Sequence, residues 1–313
     1  MQIKDTTLSS PEVFAALVQW THAGDVDCVR LLAALKEAEV PEHLWPKEPS
    51  EHVVLGRALR ECAGREDRVE PIRDGWCLTM VNREKLDLED PSNTGHDAHQ
   101  VCVTAKVMLV GDAKVVRVTP EDSPHAALIQ HEYERARTLF KASEDLSRWL
   151  SQTVVPWVGG VAAKARGGSY YVMKGVGLER IKAIKAALDS VSTVTWQEFK
   201  LTGQGETETF KLPTVLNGTA VVLKPEFAGL DAVRLMLNGL IEECDDTCDA
   251  LATKLNGSLG ERALNTQIDI AVQLETKLQN YSTALGIDLG DMVSRLSELK
   301  GGLGIALANK IQL

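Results

Sequence analysis

The residues closest to a chemical motif lie between Ala165 and Gly175, ARGGSYYVMKG, where a glycine pair stands between an arginine and two tyrosines. Glycines in such a setting let a backbone loop close on a phosphate, or they supply the positive φ of a hairpin turn. Gly175-Val176-Gly177 comes nearest to a dinucleotide fingerprint, because it follows the strand-like YYVMK and precedes a helix pattern. The third glycine of that fingerprint is replaced by Arg180, and YYVMK reads as one arm of a hairpin rather than the first strand of a βαβ unit. No Walker A loop occurs. The glycines therefore read as turns, and no nucleotide or other cofactor is expected.

Two histidine groupings invite a metal ion. His96-Asp97-Ala98-His99 sits in a loop rich in glycine and asparagine, but no further ligands suggest themselves, and solvated loop residues are the plainer reading. His125 and His131 are six positions apart and do not share a helix face. Glu132 after His131 begins an H-E-x-x-H whose last position is Arg135. No metal is expected. The acidic run Glu242, Glu243, Asp245, Asp246 and Asp249 lies beside an apolar helical seam and reads as the wet face of that helix. No nucleophile stands beside an evident base, so no catalytic residue is assigned.

One local charge feature opposes the overall balance of −10. Between Val158 and Leu188 six cations, Lys164, Arg166, Lys174, Arg180, Lys182 and Lys185, face one acid, Glu179. A basic hairpin and helix could meet phosphates, with Tyr170 or Tyr171 available to stack on bases. The competing reading is a solvated face that pairs with the acidic C-terminal helices of its own or a neighbouring subunit.

The elements that must position these residues follow from turn and cap signals. Ser10-Pro11 opens a first helix carrying Val13, Phe14, Leu17 and Val18 and stopped by Gly24; Asp25 or Asp27 caps a second through Leu31, Leu32 and Leu35. Ser50 caps a third, which ends at Gly64. Arg68 to Ile72 and Trp76 to Val81, joined by Arg73-Asp74-Gly75, then form a β-hairpin, and helices leading into a hairpin are the order of a winged helix. A second hairpin spans Gln100 to Val118. Ser123-Pro124 opens a long helix with a restart at Ser143. Val161 to Arg166 and Tyr170 to Lys174 make a third hairpin about Gly167-Gly168, followed by a helix from Leu178 to Leu188, which repeats the helix-and-wing order.

Beyond Pro225 apolar residues recur every three or four positions in three stripes: Leu230 to Leu255, Leu264 to Leu285, and Leu289, Met292, Leu296, Leu299 and Leu303. The first two satisfy each other as an antiparallel helical hairpin. The third stripe, with Ile305, Leu307, Ile311 and Leu313 of the glycine-bearing tail, is left to be covered, and a neighbouring subunit is the favoured cover.

Length and composition bound the rest. A chain of 313 residues, 44% hydrophobic and 25% charged, holds one large core or two to three small domains. The N-terminus MQIKDTTLSSPEV lacks an apolar signal region, and no stretch approaches the roughly 18 apolar residues of a membrane span, so a cytoplasmic location and no membrane partner are expected. The six cysteines, Cys28, Cys62, Cys77, Cys102, Cys244 and Cys248, are scattered at apolar-patterned positions and read as reduced core thiols.

ARGGSYYVMKG, the helix LERIKAIKAALD and the terminal KLQNYSTALGIDLGDMVSRLSELKGGL together resemble a group of phage and mobile-element proteins in which a G-G-x-Y-Y/F-V-P hairpin precedes a helix and a late tyrosine precedes a leucine-glycine turn. The resemblance covers about Asp145 to Leu303 and departs at Met173-Lys174, where such sequences often carry proline. It implies a viral origin and a non-enzymatic role, and brings no activity with it.

The sequence thus predicts an α+β protein with winged-helix-like helix and β-hairpin segments and a C-terminal antiparallel helical hairpin. Its expected regions are 1–82, helical and winged-helix-like; 83–224, a central hairpin and basic winged segment; and 225–313, the helical hairpin and apolar tail. The expected function is a non-catalytic oligomeric scaffold or adaptor, phage-encoded, contacting nucleic acid through the basic wing. The alternative is an enzyme, or an inhibitor of a host enzyme, with a site assembled from distant residues.

Overall fold

The structure, a computed structural model, describes residues 13–64, 67–73, 75–83, 99–110, 115–121, 123, 125–163, 168–203, 206–227, 230–257, 259–285 and 287–311. The chain opens with strands β1 (Val13–Ala23) and β2 (Asp25–Asp27) and helices α1 (Cys28–Glu37) and α2 (Glu51–Cys62). Strands β3 (Arg68–Ile72), β4 (Gly75–Arg83), β5 (His99–Val110) and β6 (Val115–Thr119) lead to helix α3 (Ala126–Arg137) and strand β7 (Leu139–Lys141). A helical run follows. Its short α-turns, α4 (Ser147–Trp149) and α5 (Val155–Trp157), alternate with the π-helical stretches Ala142–Leu146 and Leu150–Val154. Strands β8 (Val161–Ala162) and β9 (Ser169–Met173), helix α6 (Val176–Val191) and strands β10 (Thr193–Gly203) and β11 (Glu206–Phe227) precede three long helices, α7 (Leu230–Leu255), α8 (Glu261–Leu285) and α9 (Gly290–Ile311).

Two antiparallel sheets organise these elements, so the protein is a mixed α and β structure. The larger has the order β10-β11-β1-β9-β8 and the smaller the order β3-β4-β5-β6. β2 and β7 form a separate pair. The larger sheet is covered on both faces where β1, β9 and the second half of β11 meet. On one face Ala15, Val161 and Tyr171 pack with the buried side chains of α7, α8 and α9; on the other Val18, Val172 and Val221 pack with α1, the π-rich run and α6. A third core lies between the smaller sheet and helices α2 and α3, where Leu55 and Leu59 meet Trp76, Leu78, Val107 and Ile129. Gly56 allows this approach, since a Cβ there would sit 2.4 Å from the Trp76 ring.

Several expectations change. Residues 13–23 form a strand where a helix was expected. A strand buried on both faces carries a nearly continuous apolar run, whose spacing also satisfies a helix. The first expected wing, β3–β4, continues through β4 into β5, so it is half of a four-stranded meander. The basic wing is likewise part of a sheet: β9 pairs with the edge strand β8 on one side and with β1 on the other. At the C-terminus, three helices replace a hairpin with a tail, because the helix runs on through Gly301, Gly302 and Gly304 to Ile311. Gly302 lets α9 approach α7, where a Cβ would lie 3.0 Å from Leu255 Cδ2. Of the two expected caps of α1, Asp25 and Asp27, it is Asp27 whose Oδ1 accepts the Arg30 N–H, at 2.8 Å.

Candidate interaction surface

The residues expected to meet nucleic acid are spread over a sheet, a helix start and a helix face. Lys164 and Arg166 lie outside the described residues. Tyr171 is 5% exposed and sits in the core beneath α7, so its ring is closed to a base. Tyr170 stacks on Trp20 of the neighbouring strand, with ring centroids 5.3 Å apart. Lys174 is exposed at the end of β9. Arg180 lies 4.8 Å over the Trp157 ring and donates to the Trp157 carbonyl at 3.0 Å. Lys182 pairs with Glu179 at 2.8 Å, and Lys185 pairs with Asp189 while lying 5.0 Å over the Trp196 ring. Arg180, Lys182 and Lys185 thus have partners in their own chain, within α6 and beside it rather than in the acidic C-terminal helices that the solvated-face reading named. The two glycines that resemble a dinucleotide fingerprint have structural reasons, one of backbone conformation and one of packing. Gly175 has a φ of 107° at the start of α6, and a Cβ on Gly177 would lie 2.4 Å from the Val158 carbonyl oxygen.

The residues expected to mediate self-association are mostly interior. Leu289, Leu296 and Leu303 are buried in the core that α9 shares with α7 and α8, and Met292, Leu299 and Leu307 pack against the same cluster. Ile305 is 66% exposed. The side chain of Ile311 and the whole of Leu313 lie outside the described residues. The third stripe is therefore covered by the first two rather than left bare. Ion pairs reinforce that cover: Lys300 and Ser297 of α9 both bond to Glu275 of α8, and Arg295 bridges Asp245 and Asp249 of α7 at 2.7 and 3.0 Å. The bonds from Lys300 and Ser297 hold the Glu275 carboxyl below its ordinary pKa range.

A cleft of about 300 Å³ between α7, α8 and β8 brings Glu242, Glu243 and Asp246 beside Lys277 and Tyr170. Lys277 donates to both oxygens of Glu243, at 2.8 and 2.7 Å, and to the Gly160 carbonyl at 2.5 Å. Burial draws its pKa down and Glu243 opposes that shift. With Tyr281, which donates to the Gly159 carbonyl at 2.7 Å, it clamps α8 onto the turn before β8. Ser151 on the cleft wall donates to the Ser147 carbonyl instead of facing a base. The cleft is acidic, with three carboxylates against one ammonium, and its polar groups serve the packing of helices.

A further exposed surface lies on β11, which carries no expected site residue. β11 changes partner along its length: Gly218 to Phe227 pair with β1, while among the described residues Glu206 to Asn217 pair with β10 alone. The base of this switch is tightly built. The Ser192 hydroxyl both accepts the Thr219 N–H at 2.9 Å and donates to the Thr219 carbonyl at 3.1 Å, and Gly218 takes a φ of 101°. Asn217 Oδ1 accepts the Asp25 N–H at 3.1 Å. Beyond that base a two-stranded ribbon of about ten residue pairs runs roughly 35 Å from the sheet. Its register puts Thr195 opposite Thr214 and Gln197 opposite Leu212, so these residues share one face with Leu216. All five are exposed, Leu212 by 41% and Leu216 by 63%. α6 approaches the other face, where Lys185 covers Trp196.

Among the described residues no group of three or more His, Cys, Asp and Glu side chains is placed to hold a metal ion, and no helix is long and apolar enough to cross a membrane. His96 to Ala98 and the side chain of His99 lie outside the described residues. Comparison with protein families, with curated proteins and with solved structures finds no match to this chain.

Proposed function

We propose that this chain is a non-catalytic scaffold or adaptor that holds another macromolecule against the β10–β11 ribbon. The observation that carries the reading is the bare face of Leu212, Thr214 and Leu216 on a ribbon that leaves its own sheet. A two-stranded ribbon is marginally stable alone in water, and a third strand or a packed face is what stabilises it. Burying Leu212 and Leu216 would contribute about 1.5–3 kcal/mol each. A nucleic-acid contact at the basic segment has less support, since Tyr171 is interior and Arg180, Lys182 and Lys185 are paired. A photo-crosslinking residue at Leu212 or Leu216 tests the proposal in cells. It should capture a macromolecule at either position, with little capture from exposed Glu298 of α9. Equal capture from all three positions would remove the ribbon's special role.

A further inference from the structure

The two edges of the larger sheet differ in a way that bears on what the ribbon holds. β8 closes one edge with two residues, Val161–Ala162, too short to template another strand. β10 forms the other edge with eleven, and pairs in unbroken register with β11 from Val194 to Gly203. No described strand pairs with its outer side. The edge from Val194 to Gly203 contains no proline and no bulge, two of the devices that stop one strand edge from adding to another, which leaves the charges of Glu198 and Lys200 to decide what it accepts.

The charge order along β10 selects a partner. In Trp196-Gln197-Glu198-Phe199-Lys200-Leu201 one acid and one base flank position 199. Two copies of a strand paired antiparallel about a perpendicular two-fold axis set each residue opposite its mirror position. An axis at 198 puts glutamate against glutamate, and an axis at 200 puts lysine against lysine. An axis at 199 sets Glu198 opposite Lys200 twice and leaves no like charges facing, the arrangement cross-strand pairing favours. It also centres the contact on the regular part of the strand.

Going beyond the scaffold reading, which concerns the face of the ribbon, we infer that the ribbon's free edge takes a second copy of this chain, with β10 of each copy paired antiparallel about position 199 so that two five-stranded sheets become one of ten strands. Sedimentation velocity on the purified full chain tests this. The wild type should be a dimer at tens of micromolar. Glu198→Lys alone and Lys200→Glu alone should each weaken the dimer about tenfold, because each creates two like-charge pairs across the axis. The double variant should recover most of that loss. Glu198 also stands opposite Lys211 within its own ribbon, but the double variant keeps that change, so its recovery reports on the axis alone. A monomeric wild type, single variants that dimerise as well as the wild type, or a double variant no better than the weaker single would each overturn the inference. The two proposals fail separately. A monomeric chain that still crosslinks another protein from Leu212 and Leu216 keeps the scaffold reading and loses the second copy.

Discussion

The two halves of β11 show how one strand can belong to a core and to a surface. From Gly218 to Val221 it is buried, with Ala220 and Val221 inaccessible between β1 and the helices. A few residues earlier, Leu212, Thr214 and Leu216 point away from the same sheet into solvent. What changes is the neighbour. Where β1 supplies a third strand and helices cover both faces, apolar residues are satisfied inside the chain; where only β10 remains, they are not. The proposed contact surface rests on the grouping of Leu212 and Leu216 on one face, whereas the leucine stripe of α9 finds its cover within the chain.

The comparison is broken most forcefully by attacking the covered side. Arg57 of α2 is buried and bonds both oxygens of Asp145, at 2.6 and 2.7 Å, as well as Glu144 at 2.9 Å, so it joins the smaller sheet's helices to the π-rich run. Arg57→Ala leaves a carboxylate without its partner and should cost about 3–5 kcal/mol in denaturant unfolding. Ile184→Ala, in the core beneath the sheet, should cost about 2–5 kcal/mol. Leu212→Ala on the ribbon should change the stability of the dilute protein by only about 0.5 kcal/mol. A loss at Leu212 as large as that at Ile184 would mean that the ribbon is core.

Gly239 sharpens the contrast at an intermediate size. It lets α7 lie against β8, where an added Cβ would come 2.2 Å from the Ala162 carbonyl oxygen, so Gly239→Ala should destabilise by about 1–3 kcal/mol. The smallest effect concerns pH. Because the folded state holds Glu275 below its ordinary pKa, its contribution is present at neutral pH and is lost as pH falls through the lowered value. Glu275→Gln should therefore be less stable than wild type at pH 7 and should converge with it under acid. A gap that persists unchanged at low pH would show that the α8–α9 contact does not depend on this carboxylate.

Much of this architecture was legible in local signals. Ser50, Asp27 and the apolar spacing of α1, α2 and α6 placed those helices, and the three hairpins were read close to their positions. The partners of the strands were not legible, because pairing joins residues as distant as Trp20 and Val221, and no local pattern encodes it. β1 failed for a second reason: Val13, Phe14, Leu17 and Val18 fit a helical face as well as a buried strand. The glycine-bearing segment reads as a tail because the packing role of Gly302 at a helix contact shows only once α7 is in place. The ribbon could have been found. Thr193-Val194-Thr195-Trp196 alternates polar and apolar residues and Gly203 is a turn signal, although no local pattern shows that β1 stops pairing at Gly218.

Amide hydrogen exchange along β10, at low and at high protein concentration, tests the central claim most directly. We expect the outward-facing amides of β10, every second one from Val194 to Gly203, to exchange quickly when the protein is dilute and to become protected when it is concentrated, while the amides bonded to β11 and those of Ala220 to Val222 change little. Protection of β10 that is the same at both concentrations would contradict that claim.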